Sequence, residues 1–238
     1  MDSARPRAEM DCEKFFLSSL ISGFTHELRN HLAVIRETAG LQQDLIEIEK
    51  AVNNVPAMAQ ALRSIDSEVV LLSQLAAFLN RFSHRMESDW SLFCIQEVLE
   101  ELVALVTRSA DEKHVALKTD FAPDLPPVAG NPARLQMLIF FLLDEKLRSL
   151  EQGSSVLVRI GGDPAGIMIT IIPQGRRHPD AVGRCPQEVL LSAARDIGAE
   201  LSAGDAERET SVLLKQRRHS SIADKSSASA DVQADKNQ

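Results

Sequence analysis

Apolar residues recur at helical spacing through the first part of the chain. Between Cys12 and about Lys50 there is no proline, and only Gly23 and Gly40 interrupt the pattern. Apolar side chains three, four or seven residues apart form one face of an α-helix. The residues that set this face are Leu17, Ile21, Phe24, Leu28 and Ile35. The pattern predicts one long amphipathic helix.

A second helix is predicted after a turn at Asn53, Asn54 and Pro56, because asparagine caps helices and proline is tolerated in their first turn. Its apolar positions alternate four and three apart, the period of a helical-bundle seam, and are Met58, Leu62, Ile65, Val69, Leu72, Ala76 and Leu79. The two helices would form a long antiparallel hairpin. Because their apolar surface exceeds what two helices can bury against each other, we expect a homodimer with a four-helix bundle across a two-fold axis.

Helix and strand patterns alternate after about residue 89. The predicted helices are Leu92–Lys113, Asn131–Leu150 and Pro186–Ile197, the last capped by Gly198. The predicted strands are Val115–Phe121, Ser155–Ile160, Gly166–Ile172 and Thr210–Leu214, with Gly161-Gly162-Asp163 as the hairpin turn between the middle two. The expected fold class is α+β: a helical hairpin followed by an α/β sandwich with a mixed sheet and helices on one face.

Pattern and composition divide the chain into four segments. Residues 1–11 are expected to be a leader, 12–88 the helical hairpin, 89–217 the α/β domain and 218–238 a disordered tail. The tail is rich in serine, alanine, aspartate, lysine and glutamine, which cannot bury a core.

Charge and composition narrow the function. The formal net charge is -8 and aromatic residues make up 4% of the chain, with no tyrosine, so neither nucleic acid nor a membrane surface is an expected partner. The cysteines Cys12, Cys94 and Cys185 are widely spaced and odd in number, which predicts neither a disulfide framework nor a metal-ligand pair. No stretch is long and apolar enough for a signal peptide or a membrane span, so we expect a soluble, cytoplasmic protein.

The candidate chemistry lies on the first helix. His26 and Asn30 are one helical turn apart and share a strip of surface. His26 lies about 200° around the helix from Leu28, so its imidazole is expected to meet solvent. A neutral imidazole is a nucleophile at physiological pH, and Glu27 is placed to orient it or to act as a base. Arg29 is a candidate to contact phosphate, and Asn30 to position a water molecule.

Two motifs resemble those of sensor histidine kinases. The run Thr25-His26-Glu27-Leu28-Arg29-Asn30-His31-Leu32 resembles their H-box, in which His-Glu-Leu-Arg-Asn-Pro-Leu carries the phosphoacceptor histidine. Gly130-Asn131-Pro132-Ala133-Arg134-Leu135-Gln136 resembles the start of their N-box helix. The resemblance covers about residues 12–216 and implies that His26 is a phosphoacceptor. It also implies that receiver domains of response regulators are partners, and that Glu27 and Asn30 correspond to a phosphatase motif. His31 stands where the family has proline and is interpreted as structural.

The chain departs from the same family at the ATP site. The two N-box asparagines fall on Phe141 and Glu145, and Pro173-Gln174-Gly175-Arg176-Arg177 replaces the adenine-binding aspartate and its Gly-x-Gly. The glycine-rich phosphate loop would fall near Arg184-Cys185-Pro186, which lacks its glycines. We therefore predict a degenerate ATPase-like domain that binds no ATP and no other cofactor. Any Mg²⁺ would be held by the acidic pocket of the partner receiver domain.

These observations favour a histidine phosphotransferase of degenerate-kinase type. His26 would exchange a phosphoryl group with receiver-domain aspartates, with an upstream hybrid kinase as a further partner. One alternative is a phosphatase of a phosphorylated response regulator. Another is a non-catalytic scaffold or pseudokinase that sequesters a regulator or kinase, although a scaffold gains nothing from His26 and Glu27. An active kinase is disfavoured by Phe141, Glu145 and Pro173.

Overall fold

A computed structural model describes residues 7–47, 55–87, 89–178, 183–203 and 209–215. The helices are α1 (Arg7–Glu47), α2 (Val55–Glu87), α3 (Ile95–Glu112), α4 (Pro132–Ser149) and α5 (Gln187–Asp196). The strands are β1 (Ser91–Phe93), β2 (Ala116–Phe121), β3 (Val128–Gly130), β4 (Ser155–Asp163), β5 (Gly166–Gln174), β6 (Ala199–Ala203) and β7 (Thr210–Lys215). The predicted turn at Asn53-Asn54 and the predicted tail at 218–238 lie outside the described residues.

The α1 and α2 helices form the predicted antiparallel hairpin. The Phe16 and Phe82 rings meet edge to face with centroids 5.9 Å apart, and further along the hairpin His31 Nδ1 lies 2.6 Å from Glu68 Oε2. Within the described residues, no helix has the combination of length and apolarity that a bilayer crossing requires. Because α1 begins at Arg7, residues 7–11 are helical, and the leader predicted for 1–11 is wrong in that part.

The buried face of α1 extends beyond the predicted stripe. Cys12, Phe16 and Leu20 are fully buried, because the first turns of α1 pack on α3 and α4 as well as on α2. Of the predicted stripe, Leu17, Phe24, Leu28 and Ile35 are half-buried, whereas Ile21 is 58% exposed. The predicted helix is therefore correct, and its predicted buried face is wrong at Ile21.

The remaining chain folds around a five-stranded mixed sheet with the order β2-β4-β5-β7-β6. The β2 and β4 strands are parallel, and the other neighbours are antiparallel. Alternate side chains on one face of β4 and β5 are buried and join the hydrophobic core with residues of α3, α4 and α5. They are Val156, Val158, Ile160, Ile167, Ile169 and Ile171. The predicted α+β class and mixed sheet are confirmed.

Two local predictions are corrected. Leu92 belongs to β1, which pairs with β3, rather than to the helix predicted from that residue. The hairpin turn is not at Gly161-Gly162, because both glycines pair with β5 and the ladder continues to Asp163 opposite Gly166. The Asp163 side chain accepts a hydrogen bond of 2.8 Å from the Ala165 amide, an Asx-type turn that closes the hairpin at residues 164 and 165.

Two predicted helix ends are confirmed. Asn131 Oδ1 accepts a hydrogen bond of 2.9 Å from the Arg134 amide and caps α4. Gly198 follows α5 with φ at +70°, the left-handed conformation that favours glycine at this position. Residue chemistry at a helix end is sufficient to place these boundaries.

Ion pairs join the hairpin to the sheet domain. Glu101 on α3 is buried and bonds two arginines of α2, Arg85 and Arg81, the latter through Nε at 2.6 Å. Arg134 on α4 contacts Glu9 of α1 at 3.0 Å and Asp196 of α5 at 2.8 Å. These contacts fix α3 beside the hairpin.

Candidate functional site

His26 lies in a cleft of about 610 Å³ between the hairpin and α3. Its side chain is 43% exposed, so solvent reaches the imidazole as predicted. Leu75 and Phe78 of α2 form one side of the cleft, and Ala104 and Thr107 of α3 form the other. The H-box histidine therefore faces a concave surface made by both parts of the chain.

Asn30 is the direct partner of His26. Its Nδ2 donates to His26 Nδ1 at 3.0 Å, as expected for residues one helical turn apart. In a neutral ring that accepts at Nδ1, Nε2 carries the proton and is not nucleophilic. A half rotation of the Asn30 amide presents Oδ1 instead, which accepts from Nδ1–H and leaves the Nε2 lone pair free. The orientation of the amide thus selects the reactive tautomer.

Glu27 and Arg29 have different positions relative to this pair. Glu27 lines the cleft, and its Oε1 is 3.9 Å from His26 Nδ1, which is beyond hydrogen-bond distance. Arg29 is exposed and is not among the residues that line the cleft. A role for Arg29 in partner binding stays a prediction.

Arg108 of α3 is a cleft residue that the sequence did not indicate. It lines the cleft with His26 and pairs through Nη2 with Glu112 Oε1 at 2.6 Å. Arg108 follows His26 by 82 positions and lies in no recognisable motif. It is brought to the site only because α3 packs beside α1, so no local pattern could have identified it.

His31 lies deeper than His26 and connects the two helices. Its Nδ1–H donates to Glu68 Oε2 at 2.6 Å, and both side chains are mostly buried. This contact agrees with the interpretation of His31 as structural. His31 also lines the cleft, on the side of α1 that contacts α2.

A second cavity, of about 790 Å³, lies between α4, α5, β6 and β7. Glu145 and Lys146 line it and bond each other at 3.1 Å. A Cβ added to Gly183 would lie 3.4 Å from Glu145 Oε2, so the carboxylate is close to the segment before α5. Phe141 is buried, with its ring 6.0 Å from that of Phe15. The two positions predicted to correspond to N-box asparagines therefore hold a packed aromatic ring and a carboxylate.

The segment before α5 contacts α1. The Arg184 guanidinium stacks on the Phe15 ring at 4.7 Å, and Cys185 Sγ lies 2.7 Å from Cys12 Sγ. The sequence separates these cysteines by 173 residues, and the fold brings them together. Among the described residues, no group of three or more histidine, cysteine, aspartate or glutamate side chains could hold a metal ion.

Sequence comparison relates the chain to known proteins. Over 206 residues it is 27% identical to BarA, a signal transduction histidine-protein kinase of Escherichia coli K12, and to BarA of Shigella flexneri. The match covers 85% of this chain, which spans 22% of the length of BarA. No family model matches it.

Two histidine kinases and one phosphotransferase of known structure are partly similar to this chain. The cytoplasmic segment of histidine kinase QseC has 20% identity and a TM-score of 0.45, covering 55% of this chain and 80% of that one. The Acinetobacter baumannii histidine kinase AdeS has 15% identity and a TM-score of 0.44, and the match covers 80% of this chain and 97% of AdeS. A bacterial phosphotransferase has 14% identity and a TM-score of 0.41, and the match covers 88% of this chain and 97% of the phosphotransferase.

Proposed function

We propose that this chain is a histidine phosphotransferase of two-component signalling that works without ATP. His26 takes a phosphoryl group from the aspartyl phosphate of a receiver domain and passes it to the aspartate of another. The observation that carries the proposal is the accessible His26 imidazole with Asn30 bonded to Nδ1 and Glu27 beside it.

The proposed transfer uses the reactive tautomer, which Asn30 selects after a half rotation of its amide places Oδ1 at His26 Nδ1. His26 Nε2 attacks phosphorus, the bond from phosphorus to the aspartate oxygen breaks, and the carboxylate leaves with the electron pair. The ring becomes positively charged, which the Glu27 carboxylate favours. The proton on Nδ1 stays in its hydrogen bond to Asn30 Oδ1. Transfer to the second aspartate is the reverse of these steps, and the acidic pocket of the receiver domain is expected to hold the Mg²⁺.

The second cavity supports a function without ATP. A nucleotide site needs backbone amides that approach phosphate and ligands for a divalent cation. At this position the chain has a Glu145 carboxylate bonded to Lys146 in place of an amide, and Arg184 and Cys185 contact α1. Calorimetric titration with Mg-ATP is expected to detect no binding. A dissociation constant below about 1 mM would contradict this part of the proposal.

A homodimer is part of the proposal. Ile21 and Leu32 lie about 140° and 120° around α1 from His26; both are exposed, as are Leu62 and Val69 of α2. A second copy that covers these residues would form a four-helix bundle and leave the His26 cleft open.

The phosphatase alternative has one supporting observation. The Asn30 amide is exposed beside His26, so it could orient a water molecule toward the phosphoryl group of a docked receiver domain. The two functions differ in products, because a phosphatase releases inorganic phosphate whereas a relay protein accumulates acid-labile phosphohistidine.

The test is transfer of radiolabel from a phosphorylated receiver domain to this chain and on to a second receiver domain, with no ATP present. We expect label on the wild-type protein and on His84→Gln, which changes an exposed histidine of α2, but not on His26→Gln. The relay is wrong if the wild type never carries label. Equal loss of receiver phosphate with wild type and His26→Gln would also contradict it.

A further inference from the structure

Two buried thiols meet where α1 packs on the sheet domain. Cys12 and Cys185 are 5% and 6% exposed, and their Sγ atoms are 2.7 Å apart. We propose that Cys12 and Cys185 form a reversible disulfide that locks α1 onto the sheet domain. The third cysteine, Cys94, is half-buried beside Gln96 and provides an internal control.

The surrounding contacts hold the two thiols in register. Phe15 and Phe16, on the turn that follows Cys12, pack on Phe140 with ring centroids 6.2 and 5.2 Å away. Arg184, next to Cys185, stacks on Phe15. The Sγ separation exceeds a disulfide bond of about 2.0 Å by only about 0.7 Å. Small side-chain rotations are therefore sufficient, and the backbone need not change its fold.

The reaction needs a two-electron oxidant, and a low-molecular-weight disulfide such as oxidised glutathione supplies it. Burial and the adjacent Cys12 thiol raise the pKa of Cys185, so Cys185 is the second of the two thiols to react. Cys12 attacks one glutathione sulfur, the glutathione S–S bond breaks, and one glutathione thiolate leaves. Cys185 then loses its proton and attacks Cys12 Sγ, which releases the second glutathione. Two protein thiols are oxidised, and one glutathione disulfide is reduced to two glutathione molecules.

The cross-link would fix the width of the His26 cleft. His26 follows Cys12 by 14 residues, about 21 Å along the same helix, and α3 on the sheet domain forms the other side of the cleft. A receiver domain must reach His26 between these elements. Oxidation is therefore expected to slow phosphoryl exchange, a consequence that rests on the proposed function.

The test begins with non-reducing peptide mapping of the full chain after incubation with oxidised glutathione. We expect a peptide pair joined through Cys12 and Cys185, lighter than the two reduced peptides by two hydrogen atoms, about 2 Da. The link should persist in Cys94→Ala, disappear with dithiothreitol, and be absent from Cys12→Ala and Cys185→Ala. The oxidised wild type should also unfold at a temperature higher by at least about 5 °C.

Free thiols at both positions after oxidation, or a bond that includes Cys94, would overturn the proposal. The wild-type map decides this even if a cysteine variant does not fold. For the functional consequence, oxidised Cys94→Ala should take label from a receiver domain several-fold more slowly than its reduced form. If the reduced protein takes no label at all, the proposed function fails while the disulfide result stands. Equal labelling rates for the oxidised and reduced forms would show that the disulfide does not control access to the His26 cleft.

Discussion

The Asn30 side chain determines which nitrogen of His26 is free to react. As the amide lies, Nδ2 donates to Nδ1, which leaves the proton on Nε2 of a neutral ring. The opposite amide orientation gives the nucleophilic tautomer. The resemblance to an H-box was visible in the sequence, and so was the helical strip shared by His26 and Asn30. The tautomer was not, because it depends on the rotation of one amide.

This gives a prediction for two variants of Asn30. Asn30→Ala removes the partner of Nδ1 and should slow labelling by a receiver domain about fivefold, since one hydrogen bond contributes about 1 kcal/mol. Asn30→Asp should retain or exceed the wild-type rate, because a carboxylate accepts from Nδ1–H and favours the reactive tautomer. Initial rates of labelling are the measurement.

Gln43→Ala is the matched control, since Gln43 is an exposed amide further along α1 and should not change the rate. A slower rate for Asn30→Asp than for Asn30→Ala would show that the amide must donate, which is the opposite of the proposed role.

At the scale of elements, α1 contributes to both halves of the molecule. Its first turns pack on α3 and α4 through Cys12, Phe16 and Leu20, and its later turns carry the H-box. Spacing predicted the helix because a helical period is local. The fully buried residues of α1 and the short strands β1 and β3 escaped prediction because they depend on partners distant in sequence.

The contact between α2 and α3 provides a stability prediction. Glu101 is buried and bonds Arg81 and Arg85, so Glu101→Gln leaves Arg85 mostly buried without its charge partner. The free energy of unfolding should fall by about 3 kcal/mol. Denaturant unfolding followed by circular dichroism measures it.

Glu100→Gln is the control, because Glu100 is the exposed neighbour of Glu101 on the same helix. It should change stability by less than about 0.5 kcal/mol. Equal effects of the two variants would mean that the arginine contacts contribute nothing to folding.

At the scale of the whole molecule, the packing of the hairpin on the sheet domain brings together residues that no sequence motif links. It places Arg108 in the His26 cleft and Cys12 against Cys185. It also leaves an apolar surface on the hairpin, where Leu62 is 62% exposed. The sequence indicated this surplus because the two helices have more apolar residues than they can bury against each other.

The proposed dimer can be tested by introducing charged residues on the exposed apolar surface of the hairpin. Leu62→Glu combined with Val69→Glu would place two carboxylates in the interface and is expected to give a monomer in analytical ultracentrifugation. Ser67→Glu lies about 160° around α2 from Val69 and should leave the dimer intact. A monomeric wild type, or a dimer that persists in the double variant, would contradict the bundle.

The central claim is that His26 itself carries phosphate received from another protein. The most direct measurement is tandem mass spectrometry at neutral pH, after this chain is mixed with a phosphorylated receiver domain in the absence of ATP. We predict a phosphoryl group on the peptide that contains the H-box, localised to His26 and lost on acid treatment. Phosphate on another residue, or an unmodified His26 while the receiver domain loses its phosphate, would contradict the account.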